Sequence, residues 1–146
     1  MKISVGADHR GFIYKERIKD ILSKQGHEVT DFGTDSEESV DYPDYSVKVG
    51  ESVAFKETDF GVLVCGSGIG VCITANKVKG VRSVNICSEQ TAEMGRKHNN
   101  ANVICFGQDV LSFDVVERAL NIFLTTQFEG GRHERRIEKI TALTGK

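Results

Sequence analysis

The sequence predicts an α/β fold: a single domain over residues 1–146, built as a doubly wound, five-stranded parallel sheet with an extra C-terminal helix. Three observations carry this. Short apolar runs of strand length alternate with longer stretches whose apolar residues recur at helical spacing. Whole helices, not two-residue turns, separate the strands, so each crossover returns the chain parallel to the strand before it. A length of 146 residues suits one domain with a sizeable core, and neither an internal repeat nor a long linker divides it.

The first strand runs from Lys2 to Gly6 and ends in Ala7-Asp8-His9-Arg10-Gly11. Phe12, Ile13, Ile18, Ile21 and Leu22 then recur at helical spacing, with Lys15, Glu16, Lys19 and Asp20 read as the polar face. Gly26 supplies the residue that can close a helix with positive φ. His27 to Phe32 is a second strand with polar flanks, which places it toward a sheet edge. Gly33 to Asp44 is an acidic, hydroxyl-rich loop, and its Pro43 fits the first turn of a helix carrying Tyr45, Val47, Val49, Val53 and Ala54.

Phe60 to Val64 is the third strand, and it leads into Cys65-Gly66-Ser67-Gly68-Ile69-Gly70 and a helix that ends near Lys77 to Gly80. Val81 to Cys87 is a fourth strand, half apolar. Ser88 is placed to cap a helix that reaches about Lys97, where His98-Asn99-Asn100 breaks it. Ala101 to Phe106 is the fifth strand, Val110 to Thr126 a long apolar-faced helix, Gly130-Gly131 a hinge, and Arg132 to Leu143 a basic helix.

Composition narrows the function classes. A net charge of -2 offers no electrostatic reason for nucleic acid or anionic membrane as a partner. No apolar run approaches the length of a bilayer span. The chain enters a strand pattern at Met1-Lys2-Ile3, which argues against a secretory signal and for the cytoplasm. The cysteines Cys65, Cys72, Cys87 and Cys105 lack C-x-x-C spacing and metal-ligand offsets to histidine, so no metal is expected. Cys72, Cys87 and Cys105 read as small core residues, and His27 and His133 as surface residues.

The chemistry centres on Cys65-Gly66-Ser67-Gly68-Ile69-Gly70. A glycine-rich turn between strand and helix presents a row of backbone N–H groups, a site for an anion or oxyanion. Such donors favour a thiolate, which is a competent base or nucleophile. A dinucleotide reading fails. The glycines run G-x-G-x-G after the third strand, and no acidic residue ends the fourth strand at Cys87-Ser88 to hold a ribose, Glu89 lying just past it. The Gly-Lys-Ser/Thr of a nucleoside-triphosphate loop is absent. Ligands of such folds sit outside the carboxyl ends of the strands, which collects Asp8, His9, Cys65 to Gly70 and Ser88. His98 precedes the last strand and must reach that end another way, for which a neighbouring subunit is one route. Arg132 and Arg136 are spaced i, i+4 and share one helix side, suited to gripping one phosphate, although a solvated face is the plainer alternative. Thiol, oxyanion loop, histidine and arginine pair together suit proton abstraction beside a carbonyl of a phosphorylated sugar.

On these motifs the chain resembles the B-type ribose-5-phosphate isomerases, in the wider group with the galactose-6-phosphate isomerase subunits. The resemblance spans Gly6-Ala7-Asp8-His9-Arg10-Gly11, Asp31-Phe32-Gly33-Thr34, Val40-Asp41-Tyr42-Pro43, the glycine loop with Ala75-Asn76-Lys77, His98-Asn99 with Ala101-Asn102-Val103, and Glu129-Gly130-Gly131-Arg132-His133 with Arg136. It implies a cofactor-free aldose–ketose isomerase of the pentose phosphate pathway, with a Rossmann-like sheet. It further implies a homodimer or dimer of dimers with the active site shared between subunits. Cys65 then matches the base, Ser67 a hydroxyl that moves a proton between the two oxygens, and His98 the ring-opening group. The N–H groups of Gly66, Gly68, Ile69 and Gly70 match the anion hole of a cis-enediolate. Asp8 matches a contact to the ring oxygen or hydroxyls, His9, Arg132 and Arg136 phosphate contacts, Asn99 a hydroxyl contact, and Tyr42 a neighbour of the base.

In a second form of the family a glutamate just past the loop is the base. Val71 stands there in this chain, which leaves the role to Cys65. Two positions depart from the family pattern: Asn100 stands where Asp is usual, and Asp109 where an arginine that helps bind phosphate is usual. Six-carbon sugar phosphates, free aldoses, and a non-catalytic phosphate- or nucleotide-binding module are the alternative functions.

Overall fold

A computed structural model describes residues 1–146. Its elements are β1 (Lys2–Ala7), α1 (Phe12–Lys24), β2 (Glu28–Asp31), α2 (Pro43–Ala54), β3 (Phe60–Cys65), α3 (Ile69–Ala75), β4 (Ser83–Asn85), α4 (Glu89–Asn99), β5 (Val103–Gly107), α5 (Phe113–Thr125) and α6 (Arg132–Thr144). All strand pairs are parallel, in the order β2-β1-β3-β5-β4. The doubly wound sheet expected from the sequence is therefore present, with β2 and β4 at its edges.

Strand periodicity sorts the core into two layers, because successive side chains point to opposite faces. Val62, Val64, Ile104 and Phe106 face one way and pack with Ile18 and Leu22 of α1 and with Val116, Leu120 and Phe123 of α5. Leu63, Cys65, Val103 and Cys105 face the other way and meet Val49 and Val53 of α2 and Val71 and Ala75 of α3. Helices thus cover both faces, which is why the central strands read as unbroken apolar runs.

Local signals fix the helix ends. Gly26 (φ 79°) lets the N–H groups of Gly26 and His27 return to the carbonyls of Ser23 and Leu22, closing α1. Ser88 and Thr91 form a reciprocal capping box at α4, worth about 1 kcal/mol. Pro43 opens α2 as anticipated.

Five expectations need correction. Lys15 lies on the inner side of α1, fully buried, with Nζ 2.6 Å from Asp31 Oδ2 and 2.8 Å from Glu16 Oε1. Its ammonium is tolerated there because two carboxylates replace its water. His98 and Asn99 do not break α4 but form its last turn; Asn100, with φ 44°, is the residue that ends it. The long helix starts at Phe113, not Val110, since residues 107–111 turn back on Gly107. Cys87 is exposed, because β4 stops at Asn85. His133 is buried, through contacts described below.

Candidate active site

The strand order reverses direction between β1 and β3, and the loops after these strands and after β5 converge at their carboxyl ends. The close approach is enforced by glycine. A Cβ at Gly11 would lie 2.4 Å from the Val64 carbonyl oxygen, and one at Gly107 would lie 2.7 Å from the backbone of Ser67.

Cys65 ends β3 and is 4% exposed. Its Sγ accepts a hydrogen bond from the Gly68 N–H at 3.1 Å. That geometry needs Gly68 in the left-handed region (φ 78°). Ser67 Oγ accepts from the Ile69 N–H at 3.2 Å. The N–H groups of Gly66, Ser67 and Gly70 make no hydrogen bond within the chain and are available to an anion. Since α3 has only seven residues, the free donors themselves and not a long helix dipole are what the loop can offer an anion.

The other residues at this end frame the loop. Asp8 is buried, and its Oδ1 accepts from the N–H groups of Arg10 (2.9 Å) and Gly11 (3.1 Å), so it shapes the turn after β1. His9 Nδ1 lies 3.2 Å from both the N and the O of Val40, tying the acidic loop to the site. The Tyr42 ring covers Gly70: a Cβ there would be 2.7–2.9 Å from three ring atoms. Arg10, Asp109, His9, Glu37 and Gln108 line a cavity of about 250 Å³ beside the loop.

Asp109 does not face the loop as a bare carboxylate. Its Oδ2 accepts from Arg10 Nη2 at 2.6 Å and Nε at 3.0 Å. The pair lies against Gly66, where a Cβ would sit 2.8 Å from Asp109 Oδ2 and 3.3 Å from Arg10 Nε.

His98, Asn99, Arg132 and Arg136 are not brought to this end within one chain. The C-terminus of α4 leads through Ala101 and Asn102 into the start of β5, whose Val103 pairs with Gly61, whereas Cys65 pairs with Gly107. Four strand residues, about 13 Å, separate the two levels. At the far end His98 stacks on His133, ring centroids 4.4 Å apart and planes within 14°. Glu129 Oε2 is 3.7 Å from His98 Nε2 and 3.5 Å from His133 Nε2. The Asn99 carbonyl accepts from Arg82 Nε at 3.1 Å. The sequence-nominated residues thus form two clusters, one at each end of the sheet.

Three residues at the two clusters were assigned no site role from the sequence. Asn85 ends β4 below the loop, with Nδ2 3.4 Å from the Ser67 carbonyl oxygen. Glu129 and His133 complete the His98 cluster; the signal for them was the Glu-x-x-x-His spacing next to the arginine pair. No helix is long and apolar enough to cross a membrane.

Comparison with known proteins bears on the family and the fold. The family model described as Ribose/Galactose Isomerase matches residues 3–140. A ribose-5-phosphate isomerase B of Escherichia coli (strain K12) is 46% identical over 143 residues, covering 97% of this chain and 95% of that protein. The solved structure of the Clostridium thermocellum ribose-5-phosphate isomerase B superposes with a TM-score of 0.98 at 43% identity, covering 99% of this chain and 98% of that one. The Mycoplasma genitalium ribose-5-phosphate isomerase B, solved with bound ribulose-5-phosphate, gives a TM-score of 0.95 at 38% identity, covering 99% and 97%.

Proposed function

The chain belongs to the ribose/galactose isomerase family, and we propose on that premise that it interconverts ribose 5-phosphate and ribulose 5-phosphate through a cis-enediolate with Cys65 as the base. The observation that carries the assignment is the Gly68 N–H···Sγ contact inside a loop where the N–H groups of Gly66, Ser67 and Gly70 are free. A thiolate formed there is held by a fixed donor, while its neighbours wait for negative charge on the substrate.

The steps follow from what each group can do. His98 opens the sugar ring, and Asp8 contacts the ring oxygen or hydroxyls. Cys65 removes the proton from C2 and returns it to C1. As the carbonyl becomes an enediolate oxygen, charge accumulates where the N–H groups of Gly66, Gly68, Ile69 and Gly70 converge, so they stabilise the transition state more than the ground state. Gly68 and Ile69 reach that oxygen by exchanging their donors from Sγ and from Ser67 Oγ. Ser67, released from Ile69, passes a proton between the two oxygens. The Tyr42 ring lies over Gly70, beside the loop that carries the base. His9, Arg132 and Arg136 hold the phosphate, and Asn99 holds a hydroxyl.

Because the two clusters lie at opposite ends of one sheet, the site is completed by a second copy of the chain, as a homodimer or dimer of dimers. The enzyme works without a cofactor, in the cytoplasm, on the pentose phosphate pathway. The test is ketose formation from ribose 5-phosphate, compared with allose 6-phosphate and galactose 6-phosphate. Faster turnover of a six-carbon phosphate would replace the substrate, and absence of ketose together with tight nucleotide binding would replace the enzyme reading by a binding module.

A further inference from the structure

The His98–Glu129–His133 cluster holds more than a ring-opening histidine requires. The three donor atoms lie within 4.8 Å of one another, and Glu129 Oε2 stands 3.7 Å and 3.5 Å from the two Nε2 atoms. Donors that share a tetrahedral metal with bonds of about 2.0–2.1 Å sit about 3.4 Å apart. Both contacts to Glu129 are close to that spacing.

An independent observation points to a missing partner. His133 Nε2 is buried and has no hydrogen bond. His133 is 8% exposed, and a buried polar nitrogen without a partner costs about 1–3 kcal/mol. The neighbouring Arg132 and Arg136 oppose any dication, so a weakly held Mg²⁺ or Ca²⁺ is excluded in favour of a metal with strong affinity for imidazole.

We propose that His98, Glu129 and His133 form an inhibitory binding site for Zn²⁺, a two-histidine, one-carboxylate set with an open fourth position. Glu129 is half-exposed, giving the ion an approach from solvent. When bound, the ion occupies the nitrogen that opens the sugar ring. The inhibition therefore rests on the proposed role of His98, whereas the binding does not.

Cobalt(II) is the probe, because its visible absorption reports a four-coordinate site without any assay of activity. The wild-type protein is expected to bind one Co²⁺ per chain, displaced by Zn²⁺. Glu129→Gln and His133→Asn should each weaken binding about tenfold or more. Cys65→Ser should leave it unchanged, with no thiolate-to-cobalt charge-transfer band. No binding by the wild type, equal binding by Glu129→Gln, or loss on Cys65→Ser overturns the site. Because His133 is buried, Glu129→Gln decides the matter if His133→Asn unfolds. In the activity arm, Zn²⁺ should slow isomerisation by the wild type and spare Glu129→Gln. Cobalt binding through these residues with undiminished isomerisation in Zn²⁺ overturns the inhibition and, separately, the ring-opening role of His98.

Discussion

The Gly68 N–H donates to Cys65 Sγ across 3.1 Å, and the left-handed backbone of Gly68 is what aims it. This contact makes Cys65 unlike the other thiols. Cys105 is wholly buried, and burial pushes its thiol well up. Cys72 is lowered to about 6, first by the hydrogen bond with Cys105, with Ser83 and Asn76 aiding and burial opposing. Cys72 has no oxyanion donors beside it.

Cys65→Ala should fold, since a small buried residue replaces a small buried residue, yet lose about 100- to 10,000-fold in kcat. Turnover within tenfold of wild type would remove Cys65 as the base. Alkylation is a blunter probe, because exposed Cys87 and the lowered thiol of Cys72 also react.

Gly107→Ala tests the loop without touching a reacting group. Its new Cβ would be 2.7 Å from the Ser67 backbone, which cannot rotate away. Displacement of the loop should cost about 1–3 kcal/mol of stability and lower kcat with KM little changed. Unaltered kcat would show that the loop position is not critical.

Asp109→Asn should tighten substrate binding. Wild-type Arg10 is engaged by Asp109, so a phosphate near Arg10 competes with a built-in carboxylate. Both side chains are about half-exposed, so the gain is small: KM for ribose 5-phosphate should fall about two- to fivefold at low salt, with kcat unchanged. The difference should shrink as salt rises. An unchanged KM at low salt would place the phosphate away from Arg10.

What was legible in the sequence was local. Strand, glycine loop and helix are contiguous, so Cys65, Ser67 and Gly68 could be placed from order alone. Lys15 could not: periodicity counts a lysine as solvent-facing, and its partner Asp31 lies sixteen positions on. His133 was misjudged for the same reason, since its burial depends on stacking with the distant His98. Asn85 carries no motif, and its place under Ser67 follows from β4 lying at the sheet edge beside β5.

The Lys15–Asp31 pair gives the fold an acid dependence. Burial alone would raise the Asp31 carboxyl, but hydrogen bonds from Lys15, Lys19 and the Gly33 N–H outweigh it and hold it below the usual range. A lowered carboxyl stabilises the fold above its unfolded value, about 3.9, and that contribution is lost as pH falls from there through the folded value. Asp31→Asn should lose this component and strand a buried ammonium, costing about 3 kcal/mol in urea unfolding near neutral pH. A cost below about 1 kcal/mol would mean that Glu16 alone satisfies Lys15.

The shared site is tested by mixing two dead enzymes. Cys65→Ala removes the proposed base at one end of the sheet, and His98→Asn removes the proposed ring-opening group at the other. If each site takes Cys65 from one copy and His98 from the next, either homodimer is inactive. A mixed dimer has one site with both defects and one with neither. Random re-assortment makes about half the dimers mixed, so activity should recover to about a quarter of wild type. If instead both groups served the same chain, every site in the mixture would carry one defect and nothing would recover. Subunits must exchange for this test, so unfolding and refolding together is compared with simple mixing. Recovery in the first and not the second would fix both the sharing of the site and the stability of the dimer.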